Sequence, residues 1–150
     1  MASAMHESFC MNCFSMMPRG AATCPACGKE AVALASRNYH EKLLCALHHP
    51  LADVRMRAVI ALGLRRDAEA ARDLVECALR HPTDVVEALE IVKSLEMLPA
   101  GQPRYEALRD LCERHPASVV RIAAMAAIAG MPRKKRDPQA PPEPGDGRGT

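Results

Sequence analysis

The sequence predicts an all-α fold: a short α-solenoid of about three helical pairs, with a small cysteine-rich module before it and a disordered tail after it. Three observations predict this. The dipeptide His-Pro recurs at residues 49–50, 81–82 and 115–116, at intervals of 32 and 34 residues, each copy closing one apolar helix-period run and preceding another. Self-similarity at that period is the sequence mark of a helical repeat array. Two Cys-x2-Cys pairs, Cys10/Cys13 and Cys24/Cys27, stand close together before the first repeat. Beyond residue 131 the chain turns to Pro, Gly and charge with almost no apolar side chain, a composition that cannot bury a core.

Composition narrows the function classes. A chain of 150 residues is one domain, or one domain with a small satellite. The net charge is +2, and it is local: residues 36–131 carry thirteen basic and thirteen acidic side chains, residues 132–150 five against three. No global field draws the chain to nucleic acid or membrane. The aromatics are Phe9, Phe14, Tyr39 and Tyr105, with no Trp, which leaves little for stacking on unpaired bases. No apolar run approaches the roughly 20 residues that span a bilayer, and no basic stretch followed by an apolar one opens the chain. The expectation is a cytoplasmic protein without a membrane partner. Thiols stay reduced there, so closely paired cysteines point to metal before disulfide.

Residues 1–8 are expected to be a disordered lead. Residues 9–30 then hold Phe9-Cys10-Met11-Asn12-Cys13-Phe14, a loop through Pro18-Arg19-Gly20, and Cys24-Pro25-Ala26-Cys27-Gly28. Four thiolates in two knuckles match a tetrahedral site, because the x2 spacing lets one tight turn present both sulfurs of a pair. Gly28 gives the second knuckle the conformational freedom such a turn uses, whereas Phe14 stands in that place in the first. The stretch resembles a zinc ribbon of the rubredoxin-like kind, over residues 9–28. That resemblance implies one structural Zn2+ held by Cys10, Cys13, Cys24 and Cys27, with iron, and hence electron transfer, as the lesser alternative and two disulfides as another. A module this small cannot bury enough to fold alone, so the metal is expected to supply its fold, by roughly 10–16 kcal/mol in comparable modules.

The connector 28–36 leads to Ser36, read as the N-cap of the first repeat helix. The repeat domain is placed at 36–131. Aligned on His-Pro, its first helices run Tyr39 to His49, Ala71 to His81 and Tyr105 to His115; its second helices follow the N-cap candidates Asp53, Asp84 and Ser118. Asp67 opens the second unit, and Pro99 to Pro103 reads as a longer break before the third. The histidines are read as closing their helices, the imidazole near the free carbonyls and the negative dipole end, with proline fixing the turn. Cys45, Cys77 and Cys112 fall in apolar stripes and read as core residues, and the methionines as core filler, with Met11, Met16 and Met17 as exposed exceptions.

The run Asp53-Val-Arg-x-x-Ala-x-x-Ala-Leu-Gly63 and its echo at 119–129 resemble HEAT repeats, in particular the short bacterial HEAT-like type, over about residues 37–131. The resemblance implies a solenoid that offers an extended surface to polypeptide partners. HEAT-like enzymes are the counter-readings. The di-iron kind uses His-Glu pairs from several repeats, and here His40-Glu41 is aligned with Arg72-Asp73 and Glu106-Ala107, which breaks the pattern. HEAT-like DNA glycosylases use a basic concave face, and the one basic concentration here is Arg55, Arg57, Arg65 and Arg66. Nothing in the chain points to the bilin lyases.

The sequence therefore reads as a non-catalytic zinc-binding HEAT-repeat adaptor, or scaffold, with a protein partner. The alternative is a nucleic-acid-binding protein that uses the ribbon and the basic cluster Arg133 to Arg136. The bland reading of that cluster is a solvated charge run closing the last helix. The Ala- and Arg-rich composition suggests a bacterial source. An array of three units is also expected to leave an apolar flank, which the ribbon covers at one end and self-association at the other.

Overall fold

The computed structural model describes residues 7–132. Most of the expected lead, the basic cluster 133–136 and the expected disordered tail lie outside the described residues. Two short antiparallel strands come first, β1 (Glu7–Phe9) and β2 (Met16–Pro18), in the register Glu7↔Pro18 and Phe9↔Met16. Seven helices follow among the described residues: α1 (Ala31–Ala35), α2 (Tyr39–Ala46), α3 (Ala52–Leu64), α4 (Ala71–Arg80), α5 (Val85–Met97), α6 (Gln102–Arg114) and α7 (Ser118–Ala129).

The pairs α2/α3, α4/α5 and α6/α7 are the three expected repeats. The second helices pack in series, α3 on α5 and α5 on α7, while α4 packs on α6 in the other layer. One continuous apolar core runs between the layers, with Leu47, Leu62, Leu74, Ile91, Leu95, Leu108 and Leu111 fully buried. The approach of α3 to α5 is set by a small residue: a Cβ on Gly63 would stand 2.8 Å from Ser94 Oγ and 2.9 Å from Ser94 Cα. Ser94 turns its hydroxyl to the Val59 carbonyl, 3.0 Å away, so the polar group buried at this contact is satisfied.

The helix starts differ from the expectation for local reasons. Ser36 ends α1, its hydroxyl donating to Ala33 O, and α2 is opened by Asn38, which forms a reciprocal capping box with Glu41. Asp84 caps α5 as expected, accepting from Glu87 N at 3.0 Å. Asp53 and Ser118 lie inside the first turns of α3 and α7, whose N-caps are Leu51 and Ala117. Pro103 belongs to the first turn of α6, where a missing N–H costs nothing, so the break before the third unit is shorter than expected. The α3 helix ends with Arg66 in the left-handed region, Arg66 N reaching Gly63 O and Asp67 N reaching Leu62 O, the two bonds of a Schellman close.

Two of the three His-Pro turns, at 49–50 and 115–116, work in another way than by helix-dipole capping. The Nδ1 atoms of His49 and His115 accept from the backbone N–H of Leu51 and Ala117, at 3.1 and 3.2 Å. An imidazole that accepts is neutral, and burial pushes the His115 pKa down, so no imidazolium faces the dipole. The turn carbonyls go to an arginine instead. Arg55 Nη1 donates to His49 O and Pro50 O at 2.9 and 3.0 Å, and its Nε donates to Glu87 of the next repeat at 2.8 Å. Arg55 and Glu87 occupy the same position in successive repeats, six residues after the histidine. The charge reversal between them thus becomes a buried ion pair across the repeat boundary, Arg55 4% and Glu87 0% exposed.

Removing one partner leaves the other charge buried and alone, so Glu87→Ala is expected to destabilise the array by about 3–5 kcal/mol. Replacing both partners by apolar residues, Arg55→Met with Glu87→Leu, should recover most of that loss. Urea unfolding followed by helical circular dichroism measures both variants.

Candidate metal centre and its seat on the first repeat

Two loops of similar design bring the cysteines together. In the first, between β1 and β2, Cys10 N bonds Ser15 O at 3.0 Å and Phe14 N bonds Cys10 O at 2.9 Å. In the second, Cys24 N bonds Lys29 O at 2.9 Å and Gly28 N bonds Cys24 O at 2.8 Å, with a bridge between Thr23 and Glu30 closing its base. Both turns need a left-handed residue after their second cysteine. Gly28 takes it at φ 69°, and Phe14 takes it at φ 57°, where a Cβ makes the conformation costly.

The four sulfurs of Cys10, Cys13, Cys24 and Cys27 lie within 4.8 Å of one another, and all four residues are free cysteines. The Cys10–Cys27 and Cys13–Cys24 separations are both 3.7 Å. A tetrahedron of metal–sulfur bonds of about 2.3 Å has edges of roughly 3.8 Å. The donor set therefore fits one four-coordinate metal ion. Four thiolates this close repel, and their protonation divides accordingly. Ser15, through its hydroxyl and its backbone N–H, holds Cys13 down at about 6. Cys24 is pushed up to about 11, the lowering by the Cys27 N–H being outweighed by burial and by the thiols of Cys10 and Cys13. A dication at the centre removes this conflict. The module's own core is only Cys10, Met17 and Cys24, with Ala21 and Cys27 beside them. Met17 points inward there, against the expectation of exposure, while Met11 and Met16 are exposed.

The module sits on the first repeat. Phe14 is 8% exposed, and its ring meets the His49 imidazole edge-on at 4.8 Å, with Phe9 on the same imidazole at 5.5 Å. Arg37 adds a polar tie, donating to Asn12 Oδ1 at 3.2 Å from one nitrogen and to Cys45 Sγ from another. A groove of about 430 Å³ runs along this seam, lined by Asn12, Arg37, Glu41, Leu44, Cys45 and His48. The strained turn at Phe14 thus has a structural return, since a glycine there would bring no ring to the repeat.

Other candidates are placed less productively. Glu41 is taken by its capping box, and His40 bonds Asp67 through Nδ1. With Glu69, which lies 4.0 Å from Nε2, these form a second His/acid group within 4.8 Å, one invisible in the sequence because Asp67 and Glu69 come from the next repeat. Its closest contact is already a hydrogen bond tying α2 to the second unit. Cys77 is fully buried, and burial, with Glu87 beside it, pushes its thiol up to about 12, which makes it a core residue. Met97 and Met125 are surface residues, not core filler. Of the four arginines concentrated on and just after α3, Arg55 is buried in its ion pair and Arg65 lies over the Tyr39 ring at 5.1 Å, while Arg57 and Arg66 are exposed. No helix among the described residues is long and apolar enough to cross a membrane.

Residues 40–129 match the family model described as HEAT repeats. No curated protein and no solved structure matches the chain. The matched span takes in the three helical pairs with the His-Pro turn inside each, and the chain belongs to the HEAT repeats family.

Proposed function

We propose that the protein is a non-catalytic adaptor in which a zinc-loaded ribbon closes one end of a three-unit HEAT array and the array binds a protein partner. One observation carries this reading: the loop that gives Cys10 and Cys13 to the four-sulfur cluster also seats Phe14 on His49. Four thiolates fill a tetrahedral ion's coordination, leaving no position for a substrate or an activated water. Zinc is the ion that an all-thiolate tetrahedron favours, with iron the alternative. Cys10, Cys13, Cys24 and Cys27 would hold it, and its contribution is to the fold of residues 9–30 and through them to the first repeat. The expected site of action is the cytoplasm.

A pull-down of the tagged full chain, with and without nuclease, tests the function. Recovery of the same protein partner after nuclease supports the adaptor, and loss of every partner after nuclease moves the reading to nucleic acid. Metal content is read separately by mass spectrometry and by colour, since an iron centre absorbs in the visible.

Two variants test the coupling. Cys24→Ser is expected to lose the ion and to unfold the ribbon while most helical signal stays, with the unfolding midpoint lowered by exposure of the His49 face; circular dichroism together with zinc analysis checks this. Acidification should act likewise, because the thiolates must be deprotonated to bind: protons compete with the ion for the sulfurs, and metal content should fall as pH is lowered. Phe14→Gly relieves the left-handed strain, so zinc should be retained. The contact with His49 is lost, however, and proteolysis between residues 28 and 38 should become faster than in the parent chain.

A further inference from the structure

The clamp that Arg55 makes is half built a second time. Arg121 follows His115 by six residues, as Arg55 follows His49. Its Nη1 donates to His115 O and Pro116 O at 2.9 and 2.6 Å, repeating the bonds of Arg55 to its own turn. The rest of the Arg55 guanidinium faces the next repeat, with Nε 2.8 Å from Glu87 and Nη2 3.7 Å from Asp84. No carboxylate among the described residues lies within ion-pair distance of Arg121.

The surface around Arg121 continues the parallel. On α3, Val59 and Gly63 stand one and two turns past Arg55, and there α5 seats, Ser94 bonding Val59 O and lying against Gly63. The matching residues on α7 are Met125 and Ala129. Val59 is 0% exposed, whereas Met125 is 53% and its neighbour Ile122 60% exposed.

We infer that the α7 face of Arg121, Met125 and Ala129 is an open repeat interface that takes a partner protein's helix carrying a carboxylate, seated as α5 is on α3. The partner's helix needs a glutamate in the place of Glu87 and a small residue seven positions on, in the place of Ser94, so that both fall on one face. Charge selects this occupant over a second copy. Two copies meeting through α7 bring together helices whose only charged residue is Arg121. A second copy stacked head to tail offers its first repeat, where Arg55 holds the position of Glu87. Either way the contact buries guanidinium with no carboxylate in the place of Glu87, which is disfavoured. The inference deepens the adaptor reading and rests on it, adding which end of the array binds and by what chemistry.

The probe is a synthetic peptide of α5 with its cap, residues 84–98, carrying fluorescein and titrated onto the full-length metal-loaded chain by anisotropy. Saturable binding is expected. It should weaken about tenfold or more with Arg121→Glu and with Met125→Lys, and return to Arg121→Glu when the peptide carries Glu87→Arg. Met125→Lys leaves the turn bonds of Arg121 in place, so the test stands even if Arg121→Glu loosens the turn. Absence of saturation, or binding indifferent to both variants, overturns the inference. A dimer in sedimentation equilibrium that Met125→Lys abolishes overturns it in favour of a second copy. Peptide binding seen only when Asp137→Asn, Glu143→Gln and Asp146→Asn are combined overturns it in favour of the chain's own tail. A nuclease-resistant partner that still binds the Met125→Lys chain would leave the adaptor reading standing and refute this site.

Discussion

Arg55 closes the turn in front of its own helix and holds the following repeat with the same guanidinium. A buried guanidinium is costly to desolvate and has five donors to place, so it is tolerated only where acceptors stand in fixed directions. The His49 and Pro50 carbonyls supply one side and Glu87 the other. Burial thereby turns two side chains into a register: α5 can lie on α3 only where the carboxylate reaches. Gly63 and Ser94, two turns along, set how closely the backbones approach at that register. Hydrophobic contact between the same helices would permit sliding, because apolar area does not care about position.

The same turn links the array to the cysteine module. His49 gives its ring nitrogen to the chain entering α3 and its ring face to Phe14 and Phe9. Pro50 gives its carbonyl to Arg55. The surroundings of His49 thus connect the sulfur cluster, through the strained residue that follows Cys13, to the ion pair between repeats. Nothing in this chain of contacts requires a moving part. It is a sequence of packed groups in which ordering one fixes the next.

Much of this was legible in the sequence, and the rest was hidden for identifiable reasons. The period between His-Pro pairs gave the number of repeats, and the Cys-x2-Cys spacing gave the four sulfurs that the structure brings together. The difference between Phe14 and Gly28 was visible as an asymmetry, but its meaning needed the φ angle and the ring's neighbour. The reversal from Arg to Glu at position 87 was likewise visible; that it pairs with Arg55 depends on which helices stack. N-caps were misplaced at Asp53 and Ser118 because the His-Pro turns before them provide acceptors of their own, and at Ser36 because Asn38, two residues on, forms the capping box with Glu41. The pairing of His40 with Asp67 and the tie from Arg37 to Asn12 join residues distant in sequence, and no local pattern announces either.

The two ends of the array are physically unlike, and this bears on how it can be used. A solenoid is built from faces that expect a neighbour, so each end must be closed, bound or left apolar in water. At the first repeat the cysteine module lays two aromatic rings on the His49 turn, and Arg37 ties the module's Asn12 to Cys45. At α7 the face keeps Ile122 and Met125 in solvent beside an arginine whose turn bonds are made. An apolar end alone would invite any greasy surface, including its own copy. Arg121 limits that promiscuity, since covering it without an acceptor would strand a charge. The repeat's own architecture, by placing arginine where the next unit supplies glutamate, makes the exposed end selective for a helix that carries the missing acid.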